Sequence, residues 1–320
     1  MASQKEIYRQ WCASQPGIPV FSRDWWLDAA CGEANWDVIL VEDKGEIVAS
    51  MPFYLKIRGG FRLMTMPPLT QKMGPYLVPA STLSHTEELS REKRIFREMI
   101  ERLPCFDHFF IHFNHVHTNW LPFYWAGFRQ MTNYTYIVPD LSDRDRVFAN
   151  MAQAKKGDIK KARKSLTVGF DLGAAEFYAH HSTSLRKKGM TISYNFALFQ
   201  RLYNAAYGHS AGRVIFAKDA AGCIHAALFF VWDGESAYHL ISSIDPEQCS
   251  SGALSLLSYE AMAYLSDFTK RYDFEGSMVE AIEASYRKFG TTQTPYFAIS
   301  KTPSRLLRAR QALLDIFVCG

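Results

Sequence analysis

Three apolar-rich runs follow one another between residues 36 and 66: WDVILVE, IVASMPFYL and FRLMTM. The turn sequences DKGE and KIRGG separate them, and PPLT closes the last. β-Branched and aromatic runs between glycine- and proline-rich turns predict an antiparallel meander. Ahead of it, SRDWWLDAACG (residues 22–32) predicts a capped helix stopped by Gly32. Behind it, HTEELSREKRIFREMIERL (residues 85–103) repeats apolar positions at helical spacing over a charged face. DHFFIHFN then predicts a strand, NWLPFYWAGF a short helix ending at Gly127, and TNYTYIVPDL a strand closed by Pro139.

The texture changes at residues 143–165, DRDRVFANMAQAKKGDIKKARKS, which predict a charged helical stretch. LTVGFDL reads as a strand, and AAEFYAHHSTSLRKKG and NFALFQRLYNAAYG read as helices. RVIFAKD and CIHAALFFVW flank the turn AAG as a hairpin, and AYHLISSI adds a third strand after DGES. The loop DPEQCSSG opens the helix ALSLLSYEAMAYL. A strand then runs to Phe274, a short helix ends in Tyr286-Arg287-Lys288-Phe289-Gly290, and another strand begins near Pro295.

Both halves thus read as meander, helix, strand, short helix, strand. That order predicts a mixed α/β (α+β) fold of two tandem units, each a mostly antiparallel sheet flanked by helices. The boundary is expected near Leu141 to Asp145: residues 1–142 form the first unit and 143–302 the second. The amphipathic helix predicted for residues 303–320 would complete the first unit.

Composition narrows the classes. The chain has 320 residues, 48% hydrophobic, with a net charge of only +4, so nothing points to a nucleic-acid-coating protein and any basic site is local. No run approaches the ~18 apolar residues of a membrane span. MASQKEIYRQW lacks the apolar stretch of a signal peptide, and the six cysteines include no C-x-x-C pair. A cytoplasmic protein with reduced thiols and no metal site is expected. His108, His112, His115 and His117 read as strand and loop histidines, not as ligands.

The candidate chemistry lies in the second half. Backbone amides where a strand gives way to a helix can hold phosphate oxygens, and Gln248, Cys249, Ser250, Ser251, Gly252 and Ala253 supply such a loop. The plain alternative is an ordinary turn with a serine cap. Together the strand, the Q-x-x-x-G-A loop, the helix, the second strand and the Y-x-K-x-G helix end resemble the core of the GNAT superfamily of N-acetyltransferases. That family's pyrophosphate loop is Q/R-x-x-G-x-G/A; here Ser251 stands at its first glycine. The tandem arrangement resembles the FemAB-like acyltransferases over nearly the whole chain, through MPFYLKIRGGFRLMTMPPLTQKMGPYL, Lys155 to Lys164, and DFEGSM followed by YRKFG.

The resemblance implies transfer of an activated acyl group to an amine. The donor is acyl-CoA, bound at Gln248 to Ala253 with Arg287 and Lys288 meeting its phosphates; the alternative is aminoacyl-tRNA in a Fem-type transfer to a cell-wall precursor peptide. A third reading is a binding protein that kept the fold and lost the chemistry. Glu275 is the first candidate for the base that deprotonates the acceptor, with Asp273 two residues earlier on the same strand face. Backbone amides near Ser243 and Ile244 would polarise the donor carbonyl, and Tyr286 would protonate the leaving group. The bland readings are a helix cap for Glu275 and a packed core ring for Tyr286. The first unit has Phe123, not Tyr, four residues before Gly127, so it would bind the acceptor, with Lys72 and Tyr76 as lining. Lys156, Lys160 and Lys164 are expected on one helix face, either solvated or receiving phosphate.

Overall fold

The structure is a computed structural model that describes residues 3–80, 82–276 and 278–310. In chain order the elements are α1 (Gln4–Ser14), α2 (Asp24–Cys31), β1 (Trp36–Asp43), β2 (Glu46–Arg58), β3 (Phe61–Thr65), β4 (Tyr76–Leu77), α3 (His85–Glu101), β5 (His108–His112), α4 (Leu121–Trp125) and β6 (Arg129–Val138). There follow α5 (Arg144–Asn150), α6 (Gln153–Ala162), β7 (Thr167–Phe170), α7 (Ala174–Lys187), α8 (Phe196–Gly208), β8 (Gly212–Lys218), β9 (Ile224–Trp232), β10 (Ser236–Ile244), α9 (Ala253–Leu265), β11 (Arg271–Asp273), α10 (Glu280–Tyr286) and β12 (Thr292–Lys301). Residues 305–310 are helical and 303–304 precede the helix; residues 311–320 of the helix expected at 303–320 lie outside the described residues.

The chain divides into two compact units, Met1–Asn133 with Pro295 onward, and Tyr134–Thr294. The divisions fall inside β6 and inside β12, not at residues 142–143. Strand pairing explains the difference. In the first unit β1, β2 and β3 pair antiparallel, β3 pairs parallel with β5, and β5 pairs antiparallel with β12 (Ala298↔His112 to Lys301↔Phe109). In the second, β7 to β10 pair antiparallel, β10 pairs parallel with β11, and β11 pairs antiparallel with β6 (Tyr272↔Val138, Asp273↔Ile137). Each unit takes its closing strand from the other half of the sequence. A boundary drawn at a change of charge texture cannot register that exchange.

Two further differences are local. The charged stretch at 143–165 is two helices, because Met151 takes an extended conformation and the Ala152 amide donates to the Lys288 carbonyl at 2.9 Å. The N-terminal segment, left unassigned by the apolar pattern, is α1, whose Ser3 and Glu6 form a capping box.

Each unit has its own core. Phe96, Phe109, Phe113 and Phe123 are fully buried in the first. In the second, Leu257, Phe230, Tyr272 and Phe274 pack between α9 and one sheet face. Phe177 and Phe199 stack at 5.2 Å on the other face, edge-on to Phe229.

Candidate active site

In the second unit two neighbouring parallel strands part company. β10 pairs with β11 only from Ser236 to Tyr238, although β10 continues to Ile244. At the same point β10 shifts register against β9 between Tyr238 and Ile241, three residues passing two. Such a bulge bends the strand and raises its twist. Residues 241–244 therefore keep a register partner on β9, and among the described residues no strand pairs with the other edge of 239–244. The Asp245 amide donates to the His225 carbonyl at 3.0 Å, so alternation along the antiparallel pair turns the Ser243 amide toward β9 and that of Ile244 toward the open edge. Of the two proposed carbonyl-polarising positions, Ile244 alone faces the split.

The corner leaving β11 is built by two left-handed residues in succession, Glu275 (φ 61°) and Gly276 (φ 55°). Few non-glycine residues hold such a backbone, and those that do concentrate at functional sites. A Cβ at Gly276 would stand 2.0 Å from the Tyr134 carbonyl oxygen, so only glycine fits. This turn ends the strand at Asp273, and the expected shared strand face of Asp273 and Glu275 does not form. Asp273 is fully buried; its Oδ1 accepts from the Thr135 hydroxyl and, at 2.7 Å, from the Glu275 amide. It holds the corner in shape. Glu275 is 7% exposed, near enough to Tyr286 for its charge to act on that phenol.

Tyr286 packs on Phe274 at 4.9 Å between ring centres and lies 6.0 Å from His239. Burial first, then the Glu275 charge, pushes its phenol up to about 12. It therefore keeps its proton across the neutral range and can donate it. His239 stands on β10 at the start of the split, 4% exposed and stacked on Phe274. Its Nδ1 meets the Tyr272 hydroxyl at 2.9 Å, whereas Nε2 is buried with no hydrogen-bond partner among the described residues. Desolvation pushes its pKa down to about 3, so it is neutral. Sequence reasoning passed over His239 because a histidine in AYHLISSI has no motif; the bulge that places it leaves no mark in the residue pattern.

The loop expected to cradle pyrophosphate is already filled. Residues 246–251 form a 3-10 turn, and Gly252 takes φ 77° at the start of α9. A Cβ there would lie 2.4 Å from the Asp158 carbonyl oxygen, so this glycine admits the backbone of α6. Lys161 Nζ donates to the Ser250 carbonyl at 2.7 Å, Ser255 Oγ to Asp158 at 3.2 Å, and the Ala253 amide to Ser251 Oγ at 3.3 Å. Lys155 reaches both Ser255 (3.2 Å) and Ser285 (3.1 Å) and lies 4.6 Å from the Phe289 ring centre; burial lowers its pKa. Gln248 is half-buried beside this packing.

The remaining candidates are spread out. Arg287 and Lys288 are exposed on the turn after α10, with Arg287 3.9 Å from Glu283. The Ser243 hydroxyl is engaged by His180 Nδ1 at 2.7 Å. Since His180 Nε2 faces the Ile224 carbonyl at 3.1 Å and must donate to it, Nδ1 accepts from the serine. Lys160 is exposed on α6, but that helix ends at Ala162, so Lys164 lies past it and does not extend the expected basic face. Lys156 and Lys161 are held by the carbonyls of Ala149 and Ser250. In the first unit Lys72 is buried, 5.4 Å from the Tyr296 ring centre. Tyr76 packs on Trp11 at 6.0 Å, and a Cβ on Gly17 would meet its hydroxyl at 2.7 Å, so Tyr76 is packed within the first unit.

No family model matches the sequence, and no curated protein matches it. Solved structures do match in fold. The FemX crystal structure superposes with a TM-score of 0.67 at 12% identity, covering 93% of this chain and 96% of its own. The C-terminal domain of a proposed lysylphosphatidylglycerol synthetase from Agrobacterium fabrum gives 0.56 at 14% identity over 92% and 90%. L-PGS from Bacillus licheniformis gives 0.51 at 10% identity over 86% and 87%. The chain shares the fold of FemX and of these two further structures. No helix among the described residues is long and apolar enough to cross a membrane.

Proposed function

We propose that the protein is an N-acyltransferase whose reacting centre is the split between β10 and β11. The observation that carries this reading is the juxtaposition there of an open strand edge, a buried carboxylate at Glu275 and a protonated phenol at Tyr286. Glu275 takes a proton from the acceptor ammonium. The freed amine attacks the donor carbonyl carbon, which the outward-facing amide of Ile244 polarises. A C–N bond forms and the nitrogen gives up its second proton to solvent water, the bond from the carbonyl carbon to the leaving group breaks, and Tyr286 gives its proton to the leaving atom. Glu275 then returns a proton to Tyr286.

Of the two donors the sequence allows, the filled loop favours the aminoacyl ester of tRNA over acyl-CoA. A pyrophosphate seated on Gln248 to Ala253 would have to displace α6 from Gly252. An ester donor breaks its C–O bond at a ribose oxygen, a poor leaving group at neutral pH, which gives a phenol proton donor its purpose. The acceptor is an amine.

Calorimetric titration with coenzyme A, and separately with amide-linked aminoacyl-tRNA that cannot be hydrolysed, tests the choice. The expected result is saturable binding of the tRNA analogue and none of coenzyme A. Micromolar coenzyme A binding that weakens on altering Ser250 or Ser251 would restore acyl-CoA as the donor. Binding of neither would favour a protein that retained the fold without the reaction.

A further inference from the structure

The hairpin joining β8 to β9 brings together three residues that the proposed reaction does not use. Asp219, Cys223 and His225 each offer one donor atom, and the three atoms lie within 4.8 Å of one another. Their spacing, D-x-x-x-C-x-H, falls outside the paired-cysteine patterns by which a sequence is searched for metal sites.

Two observations mark the group as a ligand set. Asp219 Oδ1 accepts from the amides of Ala221 (3.0 Å) and Cys223 (2.9 Å), while Oδ2 faces His225 Nε2 at 3.2 Å. A tetrahedral ion with bonds of about 2.0–2.1 Å separates its nitrogen and oxygen ligands by about 3.3 Å, so that distance already fits the edge of such a site. His225 is 8% exposed, and its Nδ1 is buried without a hydrogen-bond partner among the described residues. In the metal-free protein Nε2–H donates to this carboxylate, and an ion would take the proton's place between the same two atoms, the ring proton moving to Nδ1. Cys223 is exposed at the turn, where its sulfur can swing onto an ion.

We propose that this hairpin binds a zinc ion through Asp219 Oδ2, His225 Nε2 and Cys223 Sγ, with water in the fourth position. Mixed sulfur, nitrogen and oxygen donors in tetrahedral array suit zinc. Binding releases the Cys223 thiol proton and involves no change of oxidation state. The His225 carbonyl receives the Asp245 amide at 3.0 Å, so the ion would tie the turn to the C-terminal end of β10.

Metal-free protein titrated with Co2+ tests the site. One equivalent should raise a thiolate-to-cobalt charge-transfer band, and Zn2+ should bleach it. Cys223→Ser should abolish the band, whereas Cys105→Ser and Cys249→Ser, at exposed thiols elsewhere, should retain it; His225→Asn should weaken binding at least tenfold. In unmodified protein Zn2+ should slow iodoacetamide alkylation of Cys223 and leave that of Cys249 unchanged, a readout independent of any variant's folding. No band with micromolar Co2+, a band that survives Cys223→Ser, or alkylation indifferent to Zn2+ would overturn the proposal.

Discussion

Both halves contain three antiparallel strands followed by a helix, a strand, a short helix and a strand, and they treat the corner after the third strand in opposite ways. In the first, β3 pairs parallel with β5 at Leu63 and Met64, and the chain then comes back along β5. The Met73 amide donates to the His112 carbonyl at 2.8 Å, and His112 Nδ1 faces the Gln71 carbonyl at 3.2 Å. The β2–β3 pairing is regular over five residue pairs. In the second, the equivalent strand is bulged and nothing in the described chain returns along residues 239–244 of β10. The helix starts differ too. Ser84 and Glu87 close α3 with a capping box, whereas α9 begins at a left-handed glycine with no side-chain cap. At the short helix the first unit puts a buried Phe123 and the second Tyr286. One copy of the corner is closed by its own chain; the other keeps an open strand edge beside Glu275, Tyr286 and His239.

The largest expected asymmetry is in acid. His239 is held neutral at about 3 against an ordinary 6.5, so the stability it contributes is fully present above 6.5 and is lost as pH falls toward 3. Between pH 6.5 and 4 this amounts to about 3 kcal/mol. Denaturant titrations of His239→Leu should lack most of that loss, while His112→Leu in the first unit should keep it; equal acid slopes for His239→Leu and the parent would contradict the burial argument.

Catalytic substitutions come next. Glu275→Gln should lower single-turnover transfer by about 10²–10⁴-fold with little change in donor affinity. Retained turnover would assign the base elsewhere. Tyr286→Phe should lower turnover by about 10². Because the phenol sits near 12, the parent should show no basic limb from this group between pH 8 and 10. A limb in that window that disappears in Tyr286→Phe would mean the phenol titrates normally.

The smallest effects separate the helix starts. Gly252→Ala puts a methyl against the Asp158 carbonyl in a left-handed backbone and should cost at least about 2 kcal/mol. Ser84→Ala removes a cap, about 1 kcal/mol. Thermal unfolding distinguishes them; a neutral Gly252→Ala would mean that α6 moves aside readily and would reopen the pyrophosphate reading.

Much of the fold was legible because periodicity and turn chemistry agree. The meander appeared at nearly its true limits, and α9 spans the same residues, 253–265, that the apolar run marked. What escaped depends on contacts distant in sequence. The break at Met151 is set by the Lys288 carbonyl, and the exchange of β6 and β12 by pairing across more than a hundred residues. Glu275 and Tyr286 were found as an acid and a phenol near a glycine corner, and they do share one neighbourhood. Asp273 was read as catalytic because alternation was assumed to continue past it; two left-handed residues end the strand there. Gly252 was read only as one residue of a phosphate-holding loop; in the structure the α6 backbone lies against it. His239 was invisible, since neither its burial nor the bulge beside it is written in a local pattern.

Hydrogen exchange of the whole chain, with and without the hydrolysis-resistant aminoacyl-tRNA, tests the difference between the two corners most directly. The expected result is donor-dependent protection of residues 239–244 and of the corner at 273–276, with the first unit's residues 63–73 unchanged. Protection confined to 63–73, or to the 246–253 loop alone, would contradict a reacting centre at the split between β10 and β11.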